Sequence, residues 1–144
     1  MGLQMDKAAL NAFLVHQFPQ VAAQYAIEDV GEMCLTLRLI AAEQHLRPGG
    51  TVSGPAMFGL ADVATYLAIL AMIGPTALTV TTNANIDFMR KPAAGVDLIC
   101  KARVLKLGRV LAVGDGLIYG VGQADPVARA ALTYSIPPQS VPLA

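Results

Sequence analysis

The sequence predicts an α+β fold, a curved antiparallel β-sheet wrapped around one long central helix, and three observations carry that expectation. Residues 53–73, SGPAMFGLADVATYLAILAMI, are an almost wholly apolar run of helical composition. Strand-like segments make up the rest of the chain after it, with no second helix. With 55% hydrophobic and 14% charged residues, the chain has too few charges to coat its own surface, so its strands or partner subunits should enclose the helix.

The elements follow in order. Met5 to Phe18 places Ala8, Ala9, Phe13 and Leu14 on one side of a short amphipathic helix, within an N-terminal helical segment 1–20. Asp6 is positioned to cap that helix and Pro19 to close it. Val21 to Ile27 is an extended segment, and from Glu32 to Ala41 Met33, Leu35, Leu37 and Leu39 alternate with the wetter row Cys34, Thr36, Arg38 and Ile40. HLRPGGTVSGP is a loop, because two prolines and three glycines punctuate the chain there. Beyond the helix, Gly74-Pro75 breaks the chain and strands are expected over Leu78–Met89, Val96–Leu107, Val110–Val121 and Val127–Ile136. Gly108-Arg109 should form a hairpin turn, and Asp125-Pro126 a second turn. Residues 137–144 are expected to be a loose tail.

Composition narrows the function classes. A length of 144 residues is most simply one domain, 1–144, large enough to bury a core. Net charge is zero and the basic residues form no stripe, which argues against a nucleic-acid partner. Cys34 and Cys100 lie in strand-like runs and read as buried free thiols without metal-ligand spacing, so no metal is expected. No charged, apolar leader with a cleavage site opens the chain, and the cytoplasm is the expected compartment.

Within the central run stands one acidic residue, Asp62. An ionised carboxylate removed from water is costly unless paired or hydrogen-bonded, so its presence there asks for a functional explanation. The run is also long enough to cross a membrane. Asp62, Thr65 and Tyr66 inside it, and the absence of closely flanking Lys or Arg, favour a core helix over a span. The bland alternative is a structural acid held by the Thr65 hydroxyl or by a backbone donor.

Three motifs in linked order then carry a resemblance: GGTVSGPAMFGLADVA, TTNANIDFMRKP and LKLGRVLAVGDGLIY. Together they resemble the hotdog-fold acyl-CoA thioesterases, in particular the phenylacetyl-CoA-thioesterase-like branch. That branch pairs a helix-opening Gly with an acid eight positions on, here Gly54 and Asp62. Asn85-Ile86-Asp87-Phe88 matches its next strand, and Gly108-Arg109 its hairpin. There are departures. Ser53 stands where many relatives carry His, and Arg47 where relatives often place Asn or Gln.

The resemblance implies hydrolysis of acyl-CoA thioesters to acid and CoA. Asp62 would serve as nucleophile or general base, and the Gly54 N–H would polarise the thioester carbonyl at a helix N-terminus. Thr81 aligns with the hydroxyl that relatives place near the acid and would position water. Arg47, a donor that cannot act as a base, would orient or polarise the carbonyl. Arg90, Lys91, Lys106 and Arg109, at strand ends and the hairpin, are candidates for the CoA phosphates, and CoA is then part of the substrate with no further cofactor implied. The rival reading is a non-catalytic acyl-CoA or lipid binder of the same fold.

Spacing adds one expectation. Eight helical residues span about 12 Å at roughly 1.5 Å each, too far for one chain to bring both groups to a single thioester. Gly54 and Arg47 of one chain should therefore face Asp62 and Thr81 of another, in a homodimer with shared sites that the resemblance extends to tetramers.

Overall fold

Six antiparallel strands form a single sheet that curls around one 20-residue helix, the hotdog arrangement. The structure, a computed structural model, describes residues 2–138. The elements are α1 (Lys7–Gln17), α2 (Pro19–Ala22), β1 (Tyr25–Gly31), β2 (Cys34–Leu39), α3 (Gly54–Ile73), β3 (Val80–Phe88), β4 (Leu98–Leu107), β5 (Leu111–Gly120) and β6 (Ala128–Ser135). In space the strands run β1-β2-β4-β5-β6-β3, which leaves β1 and β3 at the edges.

Alternation decides which residues meet the helix. Leu35, Leu37 and Leu39 from β2 point inward, as do Leu98, Cys100, Ala102 and Val104 from β4, and all are buried against α3. The opposite rows carry the charges: Arg38 pairs with Asp97 at 2.8 Å, and Arg103 grips Asp115 at 2.7 and 3.1 Å. Small residues let helix and sheet approach closely. A Cβ on Gly114 would lie 2.6 Å from Thr65 Cγ2 and 2.9 Å from the Arg103 carbonyl oxygen. Although α3 is long and apolar enough to cross a membrane, 67% of its most apolar window is buried within this protein, as befits a core helix.

The N-terminal segment differs in detail from its sequence expectation. Asp6 caps α1 by accepting from the Ala9 N–H at 2.9 Å, as its position indicated. Pro19 does more than close that helix, because it opens α2, where a missing N–H costs nothing. The first strand therefore starts at Tyr25 and not near Val21. Leu10, Phe13 and Leu14 bury α1 against the body of the protein, and Gln4 and Met5 tie its approach to the Ala71 carbonyl.

Two further expectations are corrected. Cys34 is exposed, because it begins β2 on the outward row, and only Cys100 is buried. Met33 sits in the β1–β2 turn with φ 61 and not on the strand's inner row. Of the tail, Pro137 and Pro138 carry no regular structure, and the remainder of the expected loose segment lies outside the described residues.

Candidate active site

Asp62 lies midway along α3, half-buried, and its Oδ1 accepts two short hydrogen bonds. Thr81 Oγ1 donates at 2.6 Å and Tyr134 Oη stands at 2.6 Å. The local fold explains why both arrive there. Thr81 and Tyr134 are register partners on adjacent strands β3 and β6, and a bulge between Thr81 and Asn83 bends the edge strand at that point. Thr65, the blander partner for Asp62, instead donates to the Ala61 carbonyl at 2.8 Å. Asp62 Oδ2 takes part in neither hydroxyl contact.

A cavity of about 530 Å³ adjoins this carboxylate. Val63, Tyr66, Ala77, Leu78 and Val80 supply apolar walls, Thr79 and Thr81 line it beside them, and Gln17, Phe18 and Gln20 form a roof from the N-terminal helices. The Tyr66 hydroxyl donates to the Ala77 carbonyl at 2.9 Å, and the Phe18 ring meets the Tyr66 ring edge-on at 6.5 Å, so this wall is braced.

Phenol chemistry reflects the acid's charge. Burial first, and then the Asp62 charge, push Tyr134 far above the ordinary phenol range. The same two causes raise Tyr25 to about 12. Both stay protonated at neutral pH, and Tyr134 is therefore available as a donor to the carboxylate.

At the helix N-terminus a second cleft, of about 440 Å³, gathers Arg47, Gly54, Met57, Phe88, Arg90 and Lys91. Capping leaves one amide available there. Pro55 has no N–H, Ala56 N donates to Ser53 Oγ at 3.3 Å, and Met57 N donates to the Ser53 carbonyl at 3.1 Å. Among the described residues nothing accepts the Gly54 N–H. Ser53, at the position where relatives often carry His, is thus the helix cap. Gly54 also makes room for Phe88, since a Cβ there would sit 3.2 Å from the ring. Arg47 is exposed at the base of a tight turn in which Gly49 and Gly50 take φ 101 and 80.

One chain holds these two clefts apart, with no lining residue in common. Asp62 and Thr81 belong to the Val80 end of β3, Gly54 and Arg47 to the Phe88 end. The cation candidates divide in the same way. Arg90 and Lys91 flank the Gly54 cleft, with Arg90 donating to the Pro126 carbonyl at 2.7 Å. Lys106 and Arg109 lie at the β4–β5 hairpin, toward the Val80 end, because Leu111 pairs with Ser135 and Ser135 with Val80. The four do not form one cluster within a chain. Thr51 and Thr79, one lining each cleft, bury hydroxyls that find no hydrogen-bond partner among the described residues. Among the described residues no group of His, Cys, Asp or Glu side chains is placed to hold a metal.

Tyr134 and the α1–α2 roof were not singled out from the sequence. A signal for Tyr134 was there: on the inward row Ala128, Ala130, Leu132, Tyr134 it is the one side chain with a polar tip, and a buried phenol needs an acceptor. His45, expected as a loop residue, is buried in a 3-10 turn, where Nδ1 accepts from the Ala42 N–H and Nε2 meets Gln24, both at 2.9 Å.

The hotdog fold with an acid on its core helix defines a class, and comparison with known proteins gives the family. Residues 49–125 match the model of the thioesterase superfamily, and the chain belongs to that family. A candidate thioesterase from Silicibacter sp. is 55% identical over 96% of both chains, with a TM-score of 0.90. Zebrafish thioesterase superfamily member 2 is similar in fold, with a TM-score of 0.77 at 23% identity over 91% of this chain and 95% of that one. A mutant of a phenylacetic acid degradation protein from Thermus thermophilus has a TM-score of 0.70 at 24% identity, over 81% of this chain and 97% of that one. None of the curated proteins matches the chain.

Proposed function

We propose that this protein hydrolyses acyl-CoA thioesters to the free acid and CoA, in active sites shared between two copies of the chain. The observation that carries this reading is the pair of half-sites on one helix: a carboxylate beside a cavity and an amide eight residues away, with Oδ2 of the one and the N–H of the other left without a hydrogen-bond partner among the described residues.

An antiparallel β3–β3 pairing would bring them together. β3 is a free edge of nine residues, and Leu78, Val80, Phe88 and Met89 on or beside it are exposed. A free apolar edge is a surface that pairs. A twofold axis near Ala84, the midpoint of β3, sets the Phe88 end of one copy against the Val80 end of the other. Gly54 packs against Phe88, and Asp62 bonds to Thr81 near Val80, so the pairing carries the amide of one copy toward the carboxylate of the other. Arg90 and Lys91 then approach the partner's hairpin, where Lys106 and Arg109 stand, as a joint platform for CoA phosphates.

The chemistry follows from the groups. Asp62 attacks the thioester carbon directly, or removes a proton from the water that does so. Charge develops on the carbonyl oxygen, where the Gly54 N–H and the positive end of α3 stabilise it, with Arg47 beside them. Collapse breaks the C–S bond and the CoA thiolate takes up a proton. In the direct route an acyl–aspartyl anhydride forms and water hydrolyses it. In the water route Asp62 returns the proton it took. The acyl group occupies the cavity beside Asp62, between Phe18 and Val80.

Thiol release from a panel of aromatic, short and medium aliphatic acyl-CoAs, by the parent and by Asp62→Asn, tests the proposal. At least one substrate should turn over, and the variant should lose about 10²-fold or more in kcat. Binding without turnover across the panel would favour the non-catalytic acyl-CoA binder, and an active Asp62→Asn would remove the assigned role.

A further inference from the structure

We propose that Tyr134 is a positioning residue whose hydroxyl follows the charge of Asp62 through turnover, donating to Oδ1 while the carboxylate is ionised and to the Asp62 backbone carbonyl once that charge is gone. The inference rests on the reading of Asp62 as the acid of hydrolysis and adds a residue that reading does not contain.

Two distances motivate it. Tyr134 Oη stands 2.6 Å from Asp62 Oδ1 and 2.7 Å from the Asp62 carbonyl oxygen. A phenol has one proton, so it can donate fully to only one of these acceptors at a time. Tyr134 is fully buried, at 0% exposure, so solvent offers it no alternative. The carbonyl of a mid-helix residue keeps a second lone pair after accepting its helical bond, and can take the phenol proton.

The charge on Asp62 disappears in either hydrolytic route. As a base the carboxylate becomes protonated, and as a nucleophile it becomes an anhydride. Oδ1 is then a weaker acceptor. A donor with no second acceptor would be left in the core with a poorer bond, a penalty falling on the intermediate and slowing the step that forms it. Here the hydroxyl proton rotates to the carbonyl with no movement of heavy atoms. Thr81 holds the same Oδ1, so the two hydroxyls also fix the carboxylate's rotation and leave Oδ2 outside both contacts. This is preorganisation: donors set in place before the charge changes.

The surroundings keep the test clean. Among the described residues, the titratable groups that act on the pair or line its cavity are Tyr25 from β1, Cys100 from β4 and Tyr66 on α3. Burial and Asp62 raise Tyr25 to about 12, burial and Asp115 raise Cys100 to about 12, and burial raises Tyr66. None of them ionises across an acid limb set by a carboxyl group. Gln17 and Gln20, from α1 and α2, carry no charge.

The experiment follows the Asp62 carboxyl carbon by ¹³C NMR titration, alongside the pH dependence of kcat/KM, in the parent, in Tyr134→Phe, and with 3-fluorotyrosine placed at position 134. Loss of the donor in Tyr134→Phe should move the carboxyl midpoint and the acid limb to higher pH, and lower kcat about tenfold with KM within about twofold. Fluorotyrosine keeps the shape of the side chain and donates more strongly, so it should move both to lower pH, a direction that mere packing does not produce. It also serves if Tyr134→Phe fails to fold. Unchanged midpoints in both variants would overturn the proposal. If the parent turns over no acyl-CoA while the midpoints shift in opposite directions, the hydrolase reading fails and the Tyr134–Asp62 coupling stands.

Discussion

Gly54→Pro isolates the amide assigned to the thioester oxygen. Proline deletes the N–H at the first residue of α3, where its fixed φ suits a helix start, and the restriction that Pro55 places on a Cβ-bearing residue before it falls equally on the alanine control below. Its predecessor Ser53 has φ −77 and ψ 161, the extended conformation that a residue before proline prefers. No intramolecular hydrogen bond is lost, since nothing among the described residues accepts that N–H. The added Cβ meets Phe88 Cζ at 3.2 Å, a contact that proline and alanine share, so the alanine variant reports its cost. Removal of one such donor costs about 2.7–4 kcal/mol of transition-state stabilisation, or about 10²–10³ in kcat. Gly54→Ala is the control: it keeps the N–H, adds the same Cβ, and should stay within about tenfold of the parent. Steady-state thiol release reads both, with circular dichroism confirming that α3 persists. A proline variant at the parental rate, or an alanine variant that falls as far, would show that this amide is not the donor.

Three further outcomes follow from the packing and the charges. Gly114→Val should destabilise the protein by about 1–3 kcal/mol, because even a Cβ meets Thr65 and the Arg103 backbone below 3.0 Å, and an unchanged melting temperature would contradict that close contact. Asp97 is pulled upward by burial, but the Ala41 N–H at 2.9 Å and Arg38 at 2.8 Å hold it below the usual carboxylate value. Its contribution is present above the unfolded value of about 3.9 and is lost as pH falls through the lower folded value, so urea melts of Asp97→Asn should show a flatter acid limb than the parent. Arg90→Ala combined with Lys91→Ala should raise KM for an acyl-CoA about tenfold but not for the matching acyl thioester of N-acetylcysteamine, which has no phosphates.

Much of this was legible in the sequence because the relevant signals are local. The strict alternation of Leu98, Cys100, Ala102 and Val104 fixed a face, and the apolar run around Asp62 could only be an enclosed helix or a span. Helix pitch alone separated Gly54 from Asp62, and the structure places them in different clefts. What stayed hidden depends on register between distant segments. Tyr134 reaches Asp62 only because β6 pairs with β3 so that Tyr134 stands opposite Thr81, and nothing within a single strand encodes that pairing. Phe18 and Gln20 are similar, since their place over the cavity depends on how α1 and α2 dock on α3. Cys34 was misread for a simpler reason: the alternation put it on the wetter row with Thr36 and Arg38, and the general tendency of thiols to be buried was allowed to outweigh that row.

Subunit complementation tests the shared site most directly. Asp62→Asn and Gly54→Pro, each nearly inactive alone, are mixed in equal amounts, dissociated and reassembled. Random pairing makes half the dimers mixed, and each mixed dimer has one site with both lesions and one with neither, so about a quarter of parental activity should return. Activity no higher than the average of the two variants would contradict the account, because it would mean that carboxylate and amide act within a single chain.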